Sequence, residues 1–313
     1  DEVVGYRQYV QIPEDWLRGE RARQTVMNII KALSAALLAS LVIWIWFLIF
    51  RDWILGRFDQ RVFFKAFAAL VGSGFLLRLN NFKAAVAHFS TAQPWATQAL
   101  SAVISGTLLT LLGSALFAMC LGRVHASRDP LIPRSGLNPW IGYGCGTSLA
   151  ALSAVTAWLS RAQSPSWPAL AGASAYYPPI EFLSGLTAYL CITAIMMLLF
   201  SLVERRFPRG LKKIALFAAM GLAMASLWTD SSLVEWLGAS VVATLGLYLI
   251  YQLVAHTSAA ILAPLMAGLA IVGQVRTLLI HPYCGARLES LLLIAGIAVV
   301  SWIWHGKLDR QPK

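Results

Sequence analysis

Charge is what this sequence has least of. Of its 313 residues, 12% are Asp, Glu, Lys or Arg and 58% are hydrophobic, whereas a soluble domain carries about 25% charged residues. So little charge cannot cover a water-facing surface of this size, which excludes a soluble globular protein. Cysteine is sparse as well. Cys120, Cys145, Cys191 and Cys284 include no two at metal-ligand spacing, so neither a disulfide framework nor a zinc site is expected. They read as small apolar side chains. There is no phosphate-binding glycine loop, no HExxH helix and no Glu-Glu pair, so the expected cofactor and metal content is none. An initiator Met and a signal peptide are also missing. The opening Val3-Val4-Gly5-Tyr6-Arg7-Gln8-Tyr9-Val10 alternates like a strand. A lone strand cannot bury its face, so the chain reads as a fragment or processed product of something longer.

What is present are long apolar runs. A transmembrane helix needs about 20 mostly apolar residues. Nine runs approach that length, at 27–50, 62–79, 95–121, 139–159, 180–203, 214–228, 233–255, 257–275 and 288–305. The expected fold is therefore an all-α polytopic transmembrane bundle of nine spans. Eight is the alternative, because His256 is the only polar break between runs seven and eight. Residues 80–94 read as interfacial, and the loop Ser160 to Pro179 as a segment lying on the membrane. Three divisions follow: 1–26, the extracytoplasmic end of a strand-containing region plus a linker; 27–136, a first transmembrane block of three helices; and 137–313, a second block of about six.

The formal net charge is +11. The Lys and Arg residues stand mainly at the ends of apolar runs, where they orient a protein in the membrane and meet anionic headgroups. No nucleic-acid partner is expected. Arg205, Arg206, Arg209, Lys212 and Lys213 mark one loop as cytoplasmic. Alternation then places the Arg51/Arg57/Arg61 and Arg123/Arg128/Arg134 groups and the Lys307/Arg310/Lys313 tail inside, with the N-terminus outside. Twelve Trp and nine Tyr suit two interfaces with lipid.

Few side chains offer chemistry. Glu181 follows Tyr176-Tyr177-Pro178-Pro179 at the start of the fifth run. It is either an ionisable group at a cavity mouth or an acid in a first helical turn, favoured by the dipole and by the prolines. Glu235 follows Ser231-Ser232 in the manner of a capping box. His256 is an ionisable group at membrane depth or a simple helix boundary. His88, His125, His281 and His305 stand singly near expected helix ends. A membrane histidine can ligate haem, but none of these has a partner in sequence. Gly72-Ser73-Gly74 and Gly142, Gly144 and Gly146 are small residues that let helices pack closely.

The segment Gly5-Tyr6-Arg7-Gln8-Tyr9-Val10, with Ile12-Pro13-Glu14-Asp15-Trp16, resembles a junction in large bacterial membrane proteins of the CPBP type, relatives of the CAAX prenyl endopeptidases. There an extracytoplasmic domain ends in a GYRxYVxxPExW stretch ahead of membrane helices and an intramembrane protease domain. The match covers about 16 residues, and helix order and Tyr176-Tyr177-Pro178-Pro179 extend it. The resemblance implies an EExxxR motif, an FxxxH and a later HxxxN or HxxxD. Counted on from Pro179, the glutamates would fall near Ala194 and Ile195, the arginine near Leu199, and the histidines near Trp228 and near Ala260, one turn after His256. All are apolar here. The resemblance thus implies a degenerate member that kept the scaffold and lost the chemistry.

The expected function is a non-catalytic scaffold or accessory subunit of a larger complex in the bacterial inner membrane, partnered by lipid and other membrane subunits. One alternative is a CPBP-type protease with displaced groups Glu181, Glu235 and His256. The other is a transporter or lipid-handling protein.

Overall fold

The computed structural model describes residues 13–126, 138–159, 175–206, 211–228, 233–256, 258–280 and 283–309. The strand-like opening, His281 and residues 160–174 of the expected membrane-surface loop lie outside them. Every regular element described is helical: α1 (Glu14–Ile54), α2 (Gln60–Val86), α3 (Trp95–Ala126), α4 (Pro139–Leu159), α5 (Phe182–Arg206), α6 (Leu211–Trp228), α7 (Leu233–His256), α8 (Leu262–Ile280) and α9 (Cys284–Asp309). Short 3₁₀ turns at Pro178–Glu181 and Ala259–Ile261 lead into α5 and α8.

Each expected run overlaps one of these helices, the eighth helix lying five residues later than its run. Seven helices among the described residues are long and apolar enough to cross a membrane, namely those containing parts of α1, α2, α3, α5, α7, α8 and α9. The chain is thus multi-pass by its helices, and their apolar surfaces suit a lipid bilayer. The two outside that set are α4, whose side chains are described only to Leu152, and α6. The side chains of α6 are described from Lys212 to Ser226.

The chain divides into two compact units. The first takes Asp1–Trp44 and Ile214–Leu247. Within it Gly221 lets α6 close on α7, for a Cβ there would overlap the Thr244 hydroxyl and stand 2.8 Å from the Ser240 carbonyl oxygen. The Ser226 hydroxyl donates to Ser34 Oγ at 2.8 Å and accepts from Trp236 Nε1 at 2.8 Å. One hydroxyl thereby joins α6 to α1 and α7. Such interhelical bonds are worth about 0.6–2 kcal/mol in a membrane.

The second unit takes Ile45–Lys213 and Tyr248–Lys313. Its core gathers Tyr189, Ala267, Leu293 and Ile297 around Tyr143, Phe182 and Leu186. Pro264 shapes the start of α8. It has no N–H to give to the carbonyl of Ala260, four residues back. The buried His305 of α9 answers with Nδ1, 3.0 Å from that oxygen. A carbonyl can only accept, so Nδ1 carries the proton. Tyr189 likewise donates its hydroxyl to the Ala263 carbonyl at 2.9 Å.

At the C-terminal end of α3, the turn between α1 and α2 docks on the last turn of the helix. Asp59 caps α2, accepting from the Arg61 and Val62 amides at 2.9 and 3.1 Å, and its second oxygen lies 3.1 Å from His125 Nδ1. The Val62 amide foremost, with the Arg61 amide and His125, holds the Asp59 carboxyl below the usual aspartate range against the opposing effect of burial. An aromatic ladder of Trp53, Phe58, Phe63 and Phe67 runs beside it, with centroids 5.4 to 5.9 Å apart along the sequence.

Candidate functional site

Among the three candidate groups, Glu181 alone has a described side chain. Glu235 and His256 belong to α7, and their side chains lie outside the described residues. Glu235 stands near the start of α7 and His256 at its end. Of the positions counted from the family pattern, Ala194, Leu199 and Ala260 are buried and Ile195 is half-buried, while the side chain of Trp228 lies outside the described residues.

Glu181 closes the 3₁₀ turn ahead of α5, with Pro178 and Pro179 at its first positions. Prolines there fix φ where no amide is needed, and an acid suits the positive end of the helix that follows. Tertiary structure adds what the local pattern does not contain. Two successive amides of α2 converge on a single oxygen of Glu181: Asn80 Nδ2 at 3.0 Å and Asn81 Nδ2 at 2.5 Å. Asn80 is buried and works in both directions. Its side-chain oxygen accepts from the Tyr177 amide at 2.7 Å, and its backbone carbonyl accepts from the Tyr176 amide at 3.0 Å. The Tyr-Tyr-Pro-Pro segment is thus stapled to α2 by one asparagine.

Two further groups face this point. Tyr283, just ahead of α9, is pushed above the usual tyrosine range by burial first, then by the charges of Glu289 and Glu181. Glu289, in the second turn of α9, lies within electrostatic reach of Glu181. Gly285 leaves room for this approach, since a Cβ there would stand 3.1 Å from Pro178 Cβ and 3.4 Å from the Tyr283 ring. The arrangement is two carboxylates and a phenol beside a pair of amides. The asparagine contacts hold the α5 entrance in place. Among the described residues no three of His, Cys, Asp and Glu come together as a metal set.

Sequence reading found Glu181 and missed Asn80, Asn81, Tyr283 and Glu289. The signal was the consecutive asparagine pair ending an apolar run. The remaining candidates are dispersed. His88 is exposed beyond the end of α2, His125 pairs with Asp59, and His305 serves the Ala260 carbonyl. The cysteines are unbridged, with Cys120 and Cys191 buried and Cys284 exposed.

The staple makes a measurable prediction. Asn80→Ala deletes a donor to Glu181 and orphans the Tyr177 amide, and should lower stability by about 1–3 kcal/mol. Asn80→Asp keeps the acceptor for Tyr177 but sets a second carboxylate against Glu181. It should be the worse variant at neutral pH and recover on acidification, once a shared proton restores a donor. Thermal unfolding of both variants between about pH 5 and pH 8 checks this. Equal, pH-independent losses would dismiss the carboxylate contact.

No protein-family model matches the chain, and no curated protein or solved structure matches it.

Proposed function

We propose that this chain is a non-catalytic multi-pass protein of the bacterial inner membrane that serves as a scaffold or accessory subunit of a larger membrane complex. In this reading it is a degenerate relative of the CPBP-type proteins, keeping a helical scaffold without their acid and histidine motifs. The carrying observation is the exposure of its first helices. Only 6% of the most apolar window of α2 is buried within the chain and 17% of that of α1, against 50% for α5 with its leading turn. Helices so lightly covered by their own chain offer broad faces to other membrane helices as well as to lipid. The polar groups inside the bundle support the same reading. Ser226, Tyr189 and His305 are each spent on protein partners, which leaves them as helix ties.

The orientation in this proposal has the N-terminus outside and the C-terminus cytoplasmic. Arg51, Arg57 and Arg61 flank the α1–α2 turn, Arg123 ends α3, Lys212 and Lys213 open α6, and Lys307 lies in the last turn of α9. Alternating passes put these groups on one side, where positively charged residues accumulate in the cytoplasm.

A single preparation tests both parts. Intact cells are treated with a membrane-impermeant maleimide after the outer membrane is permeabilised. The protein is then extracted into native-lipid nanodiscs and weighed particle by particle. The exposed Cys284 at the start of α9 should be labelled from outside, and the particles should exceed the mass of one chain in lipid. Monomeric particles would end the subunit reading, and a Cys284 labelled only after the inner membrane is opened would reverse the topology.

A further inference from the structure

Arg78 is a charged side chain placed within a candidate membrane span. Helices α2 and α3 are antiparallel neighbours in the second unit. A Cβ on Gly74 would overlap the Thr110 methyl group, which sets those two residues level. One turn along α2 therefore brings Arg78 opposite Gly106. The guanidinium lies where a Gly106 side chain would begin. A Cβ there would overlap Nη1 and Cζ and stand 2.9 Å from Nη2. Nε donates to Thr110 Oγ1 at 2.7 Å, and that hydroxyl donates to the Gly106 carbonyl at 2.9 Å. The arginine is thus laid across the neighbouring helix at its own level, in a seat that only glycine leaves open. It does not reach along α2 to the nearer end, as a snorkelling side chain does.

Depth follows from helix geometry. Helix α3 has 32 residues, about 48 Å, so a centred α3 overhangs a core of about 30 Å by about 9 Å at each end. Gly106 and Thr110 lie about 16 and 22 Å from its first residue. The guanidinium is then about 7–13 Å inside the hydrocarbon. A charge there is costly unless paired. Among the described residues no carboxylate forms an ion pair with Arg78. Asp52 pairs with Arg123 and Arg51, Asp59 with His125, and Glu204 with Lys213. Nη1 and Nη2 form the fork that suits a carboxylate. Arg78 is only half-buried, and the same helix pair exposes Leu79, Val103 and Leu109 beside it. The site therefore offers a fixed positive charge within an apolar, uncovered helix face.

We propose that the α2–α3 face docks a transmembrane helix of another chain, whose mid-membrane Asp or Glu pairs with the guanidinium of Arg78. The inference rests on the subunit reading and names the chemistry of the partner. Charge complementarity and depth select this occupant. A lipid phosphate stays at the edge of the core, too far out to meet a guanidinium that lies flat across α3.

The test uses the full chain in phosphatidylcholine vesicles with donor-labelled host peptides, each a polyleucine helix carrying Leu, Asn, Asp or Lys at its centre. Energy transfer reports association. The Asp peptide should bind about tenfold more tightly than the Leu peptide. Arg78→Gln should erase that preference, Arg78→Lys should keep part of it, and Arg78→Glu should transfer it to the Lys peptide. Gly106→Leu, which evicts the guanidinium from its seat, should also erase it. Equal binding of the Asp and Leu peptides, or an Asp preference that survives Arg78→Gln, overturns the proposal. So does an Asp preference that phosphatidylglycerol abolishes in proportion to its content, because the lipid phosphate would then be the partner. Particles larger than one chain in native nanodiscs, together with indifferent peptides, would refute this pairing and leave the subunit reading standing.

Discussion

Alanine at Gly146 should destabilise the protein by about 3 kcal/mol or more, while alanine at Gly144, two residues away, should leave it unchanged or slightly more stable. Both glycines lie within α4, with no positive φ to protect, so local conformation does not separate them. The facing helix does. A Cβ on Gly146 would overlap the carbonyl oxygen of Leu265 and stand 3.0 Å from its carbon and 3.1 Å from the Leu269 nitrogen. From the other side, a Cβ on Gly268 would stand 2.6 Å from the Tyr143 carbonyl oxygen and 3.2 Å from Gly146 Cα. The obstacles are backbone atoms of α8, which no rotamer change can move. Only parting the two helices relieves the clash, and that forfeits dispersion contacts along the seam. Gly144 has nothing within 4 Å. An alanine there meets open space and gains up to about 1 kcal/mol in helix propensity. Denaturant titration of the detergent-solubilised variants, read by tryptophan fluorescence, gives both differences. Gly146→Leu should leave no folded protein. If alanine at 144 and at 146 cost the same, the close approach of α4 and α8 is not what these glycines provide.

The small-residue pattern around Gly142, Gly144 and Gly146 is legible in the sequence as a packing surface, and α4 begins and ends where its apolar run does. Which glycine carries the contact is not legible, because Gly268, far along the chain, decides it. The same reason explains the longer α2. Asn80 and Asn81 look like the end of an apolar run, yet the helix continues to Val86, since Glu181 accepts hydrogen bonds from both amides. His305 looks solitary because its partner is a carbonyl, and Pro264 withholds that carbonyl's usual donor. In each case the chain records the polar group and leaves its partner to the fold. Arg78 differs in kind. It ends its apolar run in sequence, yet it lies flat against Gly106, because the antiparallel neighbour has no side chain there. The apolar spans themselves were readable because hydrophobic length needs no partner to be recognised.

A buried ion pair at the α1–α2 end of the second unit carries the other large effect. Arg123 Nε lies 2.6 Å from Asp52 Oδ2, and each side chain is 7% exposed. Neither group can recover its hydration if the other is removed, so each single substitution should cost about 3–5 kcal/mol. The two losses should differ. With Arg123→Met, Asp52 still has Arg51, 55% exposed and 3.7 Å away, to offset part of its charge. With Asp52→Leu, Arg123 keeps its charge and loses its carboxylate, so Asp52→Leu should be the more damaging. Combining the two substitutions removes both desolvation penalties and leaves apolar side chains of similar bulk. The double variant should return to within about 1 kcal/mol of the parent, or exceed it. Added salt should scarcely alter these differences, because screening acts weakly on a buried pair. Unfolding free energies of the four proteins in the cycle decide the matter. Losses that simply add would mean that the two side chains do not act on one another, and Asp52 and Arg123 would then be two separate anchors of the turn. A large recovery in the double variant would show that the bridge fixes where the α1–α2 turn sits on α3 without being needed for its stability.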